Sequence, residues 1–204
     1  MRFRDPCIQA EYDRLIGALP QEEALCAPLC GVRDALAAYF ALADYFTDPE
    51  NGEVEDMLVG LRSMDLLGSA LGRQAVAFGG EVKYREPLDI AATLFFGMVK
   101  NHPFSDGNKR TALLLLLMGL YRFGYRPTGS GEAFEALVLA VAAGELAAVY
   151  PSAWQAAPTD DRAIHVIAAC LSTLCERAEP IGGEDGILAI IRRYEAPLRR
   201  LKDE

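Results

Sequence analysis

The sequence predicts an all-α protein: a helical bundle around one central buried helix, with a small β-hairpin flap beside it. Three observations lead there. Apolar residues recur at helical spacing along most of the chain. The stretch NKRTALLLLLMGLYRFG is apolar on nearly every face, the pattern of a helix surrounded by others. Only AVAFGGEVKYREP, residues 75–87, breaks the helical reading: Gly79-Gly80 sits between short segments carrying Val76, Phe78, Val82 and Tyr84, which suggests a hairpin or extended flap.

The elements follow in order. CGVRDALAAYFALADYFTD gives one helix, with Leu36, Phe40, Ala43 and Phe46 at helical spacing, and TDPENGE ends it. VEDMLVGLRSMDLLGSALGRQ predicts a further helix or helix pair, weakened by Gly60, Gly68 and Gly72. EPLDIAATLFFGMVKN is a clear helix: Pro87 suits its first turn, and Ile90, Leu94, Phe95, Met98 and Val99 make its apolar stripe. SGEAFEALVLAVAAGEL is a smaller amphipathic helix with Ser130 as N-cap. AAVYPSAWQAAPTDD reads as a linker. Beyond it DDRAIHVIAACLSTLCERAE and EDGILAIIRRYEAPLRRLKDE predict two more helices, the second interrupted at Pro197. The expected organisation is an N-terminal helical extension over residues 1–30, a core domain over 31–150 and a C-terminal helical extension over 151–204.

Composition narrows the function classes. The 204 residues hold 29 acidic and 20 basic side chains, a net charge of −9. Such a surface repels the phosphates of nucleic acid and of anionic lipid, so neither is expected as a partner. The longest uncharged apolar run, Thr111 to Tyr121, falls short of the about 20 residues a bilayer span needs. The first 20 residues lack the apolar stretch and cleavage site of a signal peptide, so a cytoplasmic location is expected. The five cysteines, Cys7, Cys26, Cys30, Cys170 and Cys175, do not suggest a disulfide framework. Zinc held by the last four is disfavoured by their spacing, and AACLSTLC reads as a helix face.

The chemistry concentrates in HPFSDGNKR, residues 102–110. His102 ends one helix, PFSDG turns, and the next helix begins near Gly107 or Asn108. A helix N-terminus presents unpaired N–H groups and the positive end of the dipole, an anion site that Gly107 lets a ligand approach. Lys109 and Arg110 put two cations against that dipole, unfavourable for the helix and sensible beside a phosphate. Asp106 is placed to hold Mg²⁺ next to bound phosphates, and His102 to act as a general base. Each residue alone has an ordinary structural explanation: an N-cap, a turn residue, a solvated face, a helix cap. Six together describe transfer of a phosphate-containing group from a nucleotide to a hydroxyl. His165, set among Ile164, Val166 and Ile167, reads as structural.

HPFSDGNKR resembles the signature of the Fic/Doc family (the Fido fold), His-x-Phe-x-Asp/Glu-x-Asn-Gly/Lys-Arg. The likeness runs through the flanks LFFGMVKNHPF and TALLLLLMGLYRFGYRP and back through LLGSALGRQAVAFGGEVKY, over roughly residues 30–145. It implies that His102 deprotonates the hydroxyl of a target protein and that Asp106 binds Mg²⁺. It implies that Gly107 and Asn108 form an anion hole and that Arg110, with Lys109, contacts the phosphates of ATP or another nucleotide triphosphate. Phe104 would anchor the loop in the core. Phe78, Gly79, Gly80, Val82 and Tyr84 would form a flap aligning the target by backbone pairing.

The departures from that pattern matter. Members that transfer AMP carry Gly after the Asn and a second Arg three residues past the first; here those places hold Lys109 and Leu113. NKRTA resembles the Doc (death-on-curing) branch, similar to toxins that phosphorylate a translation factor and are held by an antitoxin, although Gly107 is nearer the Fic pattern. The expectation is therefore a Doc-like transferase of the γ-phosphoryl, with AMP transfer and a catalytically silent interaction module as alternatives. The family's inhibitory pattern, Ser/Thr-x-x-x-Glu-Gly/Asn, is met in part by Ser172 and Glu176 of a C-terminal helix, where Arg177 replaces the last residue. A DNA-binding regulator is disfavoured by the net charge.

Overall fold

The structure is a computed structural model that describes residues 1–20, 29–178 and 185–202. Cys26 lies outside the described residues. Helix α1 (Pro6–Gly17) is capped by Asp5, whose carboxylate accepts from the Cys7 and Ile8 N–H groups. It packs on α2 (Val32–Thr47), whose Leu36, Phe40 and Ala43 are wholly buried along with Phe46, as their spacing predicts. Asp34 in the first turn of α2 accepts from the Gly31 N–H at 3.0 Å and pairs with Arg122 at 2.7 Å, joining the start of α2 to the far end of the central helix.

Residues 54–62, expected to be helical, hold no helix; α3 occupies only Met64–Gly72. Longer-range hydrogen bonds take the place of helical ones. The Glu55 N–H donates to the Phe46 carbonyl, the Arg62 and Ser63 N–H groups to the Pro103 carbonyl, and Gly60 accepts from the Ser105 N–H. An isolated antiparallel bridge joins Leu61 to Phe104. The segment thus serves the motif loop, and its glycine weakens the helical alternative.

The hairpin is present as expected. β1 (Ala77–Phe78) pairs antiparallel with β2 (Glu81–Val82), and Gly79 and Gly80 take φ of 59° and 84°, as a two-residue primed turn requires. Helix α4 (Pro87–Asn101) starts at Pro87 and buries Ile90, Leu94, Phe95, Met98 and Val99. Gly97 lets α3 approach closely, since a Cβ there would lie 2.9 Å from the Ala70 carbonyl oxygen. Helix α5 (Asn108–Arg122) is the central one: Arg110 through Leu120 are all buried. It packs on α2, α4 and α6 (Gly131–Ala143), the last capped by the Ser130 hydroxyl as predicted.

The C-terminal part departs from expectation in three places. The presumed linker contains two short helices, α7 (Leu146–Val149) and α8 (Pro151–Ala156), because Pro151 stands at a helix start, where no N–H is needed. Helix α9 (Arg162–Leu174) stops short of Glu176. Residues Cys175–Arg177 form β4, antiparallel to β3 (Tyr125–Pro127), and the Leu174 carbonyl accepts from the Thr128 and Gly129 N–H groups instead of continuing the helix. Then α10 (Asp185–Arg193) and α11 (Glu195–Arg200) break at Tyr194, with Pro197 tolerated in the first turn of α11. One hydrophobic cluster runs from Ile8 to Leu201. Among the described residues no helix is long and apolar enough to cross a membrane.

Candidate active site

Two helix ends and the six residues between them build the site. His102 caps α4 with φ 48° and ψ 59°, a left-handed conformation rare for a residue with a side chain. Gly107 caps α5 at φ 75°, and its carbonyl accepts from both the N–H and the hydroxyl of Thr111. A Cβ on Gly107 would sit 2.4 Å from the Met57 methyl carbon. The site's backbone therefore turns back on itself at both ends of residues 102–107, so that His102 and the first turn of α5 share one short loop.

That loop is held from inside. Asn108, 3% exposed, takes the Phe104 N–H on Oδ1 at 2.9 Å and donates Nδ2 to the Phe104 carbonyl at 3.0 Å. Phe104 is buried and stacks on Tyr39, with ring centroids 3.9 Å apart and planes within 3°. The Tyr39 hydroxyl in turn accepts from the Gly60 N–H at 2.8 Å. The side chain of Asn108 is thus engaged in fixing the loop. The anion hole expected of Asn108 would therefore rest on the backbone at the start of α5, where the first N–H groups of any α-helix have no intrahelical acceptor.

Asp106 is half-buried, and its Oδ1 accepts from the Gly107 N–H. Among the described residues no group of three or more His, Cys, Asp or Glu side chains is arranged to hold a metal ion. A single carboxylate beside the N-terminus of α5 suits Mg²⁺, which is held by one or two carboxylates together with substrate phosphates and water. The residues present fit that ion.

The cations are arranged differently from the expectation. Arg110 is 2% exposed; its Nη2 donates to Glu55 Oε2 at 2.5 Å and its guanidinium lies over the Phe46 ring. Glu55 is buried too, and is shared with Arg199 at 3.4 Å and Lys202 at 3.6 Å. Arg199 also lies over Phe46. Lys109 donates Nζ to the Lys202 carbonyl at 2.6 Å. The end of the described chain therefore closes over both cations of the motif, and one buried carboxylate stands where Arg110 was expected to meet phosphate. Glu55, Arg199 and Lys202 carry no signal in the sequence: they are single charged residues far from the motif.

In the flap, Phe78 is 90% exposed and Val82 is also exposed, whereas Tyr84 is buried and does not face outward. The Tyr84 hydroxyl donates to Asp161 Oδ2 at 2.5 Å, and Lys83 also pairs with Asp161, so the C-terminal stalk of the hairpin is tied to the turn before α9. His165 lies 3.5 Å from Asp89 and links α9 to α4, remote in role from the motif. Ser172 and Glu176 are not brought to the site. Ser172 bonds the Ala169 carbonyl in its own helix, and Glu176 pairs with Arg126 in the β3–β4 ribbon, beyond the C-terminal end of α5. Arg110 sits in the first turn of that helix, so about 20 Å of helix length separates the two regions.

Residues 31–120 match the family model of the Fic/DOC family. No curated protein and no solved structure matches the chain. The Fic/DOC match takes in α2, the Glu55 segment, the flap, α4 and most of α5. The helical bundle with its small hairpin agrees with an all-α Fic/Doc fold. Arg199, Lys202 and the Asp161 anchor lie outside the span that the Fic/DOC model covers.

Proposed function

We propose that the protein transfers the γ-phosphoryl group of ATP, in the presence of Mg²⁺, to a hydroxyl side chain of a target protein. The observation that carries this reading is the rigid loop that joins His102 to the N-terminus of α5, clamped by Asn108 and the Phe104–Tyr39 stack. Phosphoryl transfer asks chiefly for positioning and electrostatics, and a base and an anion site fixed on one loop supply both. His102 takes the proton of the target hydroxyl. The oxygen then bonds to the γ-phosphorus, the bond from that phosphorus to the β–γ bridging oxygen breaks, and ADP leaves. Asp106 would hold Mg²⁺, whose charge would offset that of the phosphates. The exposed edge of the β1–β2 hairpin aligns the target segment by strand pairing.

The phosphoryl group is preferred to AMP because Leu113, at the place of the second arginine, is wholly buried in the core. No guanidinium projects from that position to grip the phosphates, and Lys109 offers a point charge in place of a bidentate fork. One observation favours a second reading, the silent interaction module: Arg110 is inside the protein and paired with Glu55. Incubation of the protein with a cell lysate and either α- or γ-labelled ATP separates the readings. Label from the γ position only, on a protein band, is the expected result. Label from the α position moves the protein to AMP transfer, and label from neither supports the silent module.

A further inference from the structure

Eight of the sixteen arginines of this acid-rich chain lie against carboxylates among the described residues: Arg4, Arg14, Arg85, Arg110, Arg122, Arg126, Arg199 and Arg200. Arg73 and Arg162 are among those that do not. Both are half-buried, and both line one cavity of about 370 Å³ together with Phe96, Trp154, Thr159 and Asp161. Arg73 lies over the Phe96 ring at 5.5 Å and Arg162 over Trp154 at 5.4 Å. The Nε of Arg73 is fully buried with no hydrogen-bond partner. The one carboxylate of the cavity, Asp161, is already engaged by Lys83 and Tyr84. The Arg73 stem is seated by Gly97, where a Cβ would come within 2.8 Å of the Arg73 Cδ. Two guanidiniums stacked on rings and left without an acid in a protein of net charge −9 make a site short of an anion.

The position of the cavity says what anion it takes. Arg73 begins the short turn that leads into β1, and Asp161 anchors the residues that follow β2, so both ends of the hairpin meet the cavity wall. Phe96 stands on α4, about 9 Å along the helix axis from His102. An extended peptide covers that distance in about three residues. We propose that this cavity is a specificity subsite for the target protein, binding an Asp or Glu side chain about three residues from the hydroxyl that is modified. The proposal rests on the transferase reading for the identity of that hydroxyl. Arginine and tryptophan are the side chains in which binding energy concentrates at protein interfaces, and the planar fork of Arg suits a carboxylate.

Trp154 is the only tryptophan of the chain and lines the cavity, so its emission reports occupancy. The probes are acetylated hexapeptides carrying Ser and Glu three residues apart, in either order, and the same peptides with Gln. Titrations are run without ATP, on the whole chain, by emission and by calorimetry. The expected result is saturable binding of a Glu peptide that is at least about tenfold weaker for Gln. Arg73→Gln and Arg162→Gln each weaken it about ten- to hundredfold, the loss that removing a hydrogen bond to a charged group brings. Unchanged melting shows that the variants fold; should Arg73→Gln not fold, Arg162→Gln carries the comparison. No saturable signal with any Glu peptide overturns the subsite, and so does binding indifferent to both substitutions. Acetate or inorganic phosphate binding as tightly as the peptides overturns it in favour of a small-anion site. Peptide binding together with no label from α- or γ-labelled ATP in the lysate assay leaves the subsite standing and sinks the transferase reading alone.

Discussion

His102 holds a backbone conformation that costs a residue with a side chain about 1–2 kcal/mol, and the neighbouring loop must supply that energy. His102→Ala keeps the backbone cost and removes only the imidazole. Transfer to a target should therefore fall by about 10²–10⁴ while the melting temperature stays close to the parent value. Phosphoryl transfer assays and thermal melts on the same preparation check both halves. Glu55 is the opposite case, a side chain whose charge is its structural contribution. Glu55→Gln leaves Arg110 buried without its counter-charge and should cost about 3–5 kcal/mol in denaturant melts. If Arg110 serves the nucleotide, the surviving Glu55→Gln protein should also bind ATP more tightly, because the carboxylate no longer competes for the guanidinium. Unaltered ATP affinity would remove Arg110 from the nucleotide site. The motif residues were legible because they fall within nine positions, 102–110, whose mixture no simple cap explains. Glu55 was not, since its partners Arg199 and Lys202 are brought to it only by the fold.

The β1–β2 hairpin shows how an element can be read in sequence and still surprise in its attachment. Gly79-Gly80 announced the turn, but nothing near Tyr84 announced Asp161, 77 residues away. Lys83 first, then Tyr84, holds the Asp161 carboxyl below the ordinary carboxylate range. The anchor's contribution is therefore complete above the usual Asp value of about 3.9 and is lost as the pH falls through the lower folded value. Amide exchange across residues 77–83 should quicken as the pH drops below that value, beyond the intrinsic pH effect. Asp161→Asn should remove that extra step and leave exchange faster than in the parent above that value. Phe78, exposed at the tip side, should be replaceable by Ala with no change in melting and with weaker transfer to a protein target; equal transfer would deny the hairpin a part in alignment. Helices α4, α5 and α6 were legible from different signals: an apolar stripe with a first-turn proline in α4, a nearly continuous apolar run in α5, and the Ser130 N-cap before the amphipathic α6. Residues 54–62 and 175–177 were not, because their backbone groups are claimed by residues 103–105 and 125–129, a tertiary choice that outweighs helical propensity.

At the scale of the whole molecule, α11 belongs to the same hydrophobic cluster as α2 and α5, with Leu198 and Leu201 wholly buried. Leu198→Ala should cost about 2–5 kcal/mol in equilibrium unfolding, the range for a buried leucine that leaves a cavity. A cost under about 1 kcal/mol, within the scatter of surface changes, would mean that the C-terminal helices are loosely attached. The α4–α5 hairpin has a different temporal character from the parts that close over it. Its contacts are local in the chain, the kind that form fast and early. Glu55 precedes Arg110 in the chain, so their pairing is available as soon as α5 is made. Lys202 follows Lys109 by 93 residues, which at about 5–20 residues per second of synthesis is a delay on the order of 5–20 s. For that interval Lys202, which gives Lys109 a carbonyl acceptor, has yet to be made, whereas Glu55, the partner of Arg110, already exists.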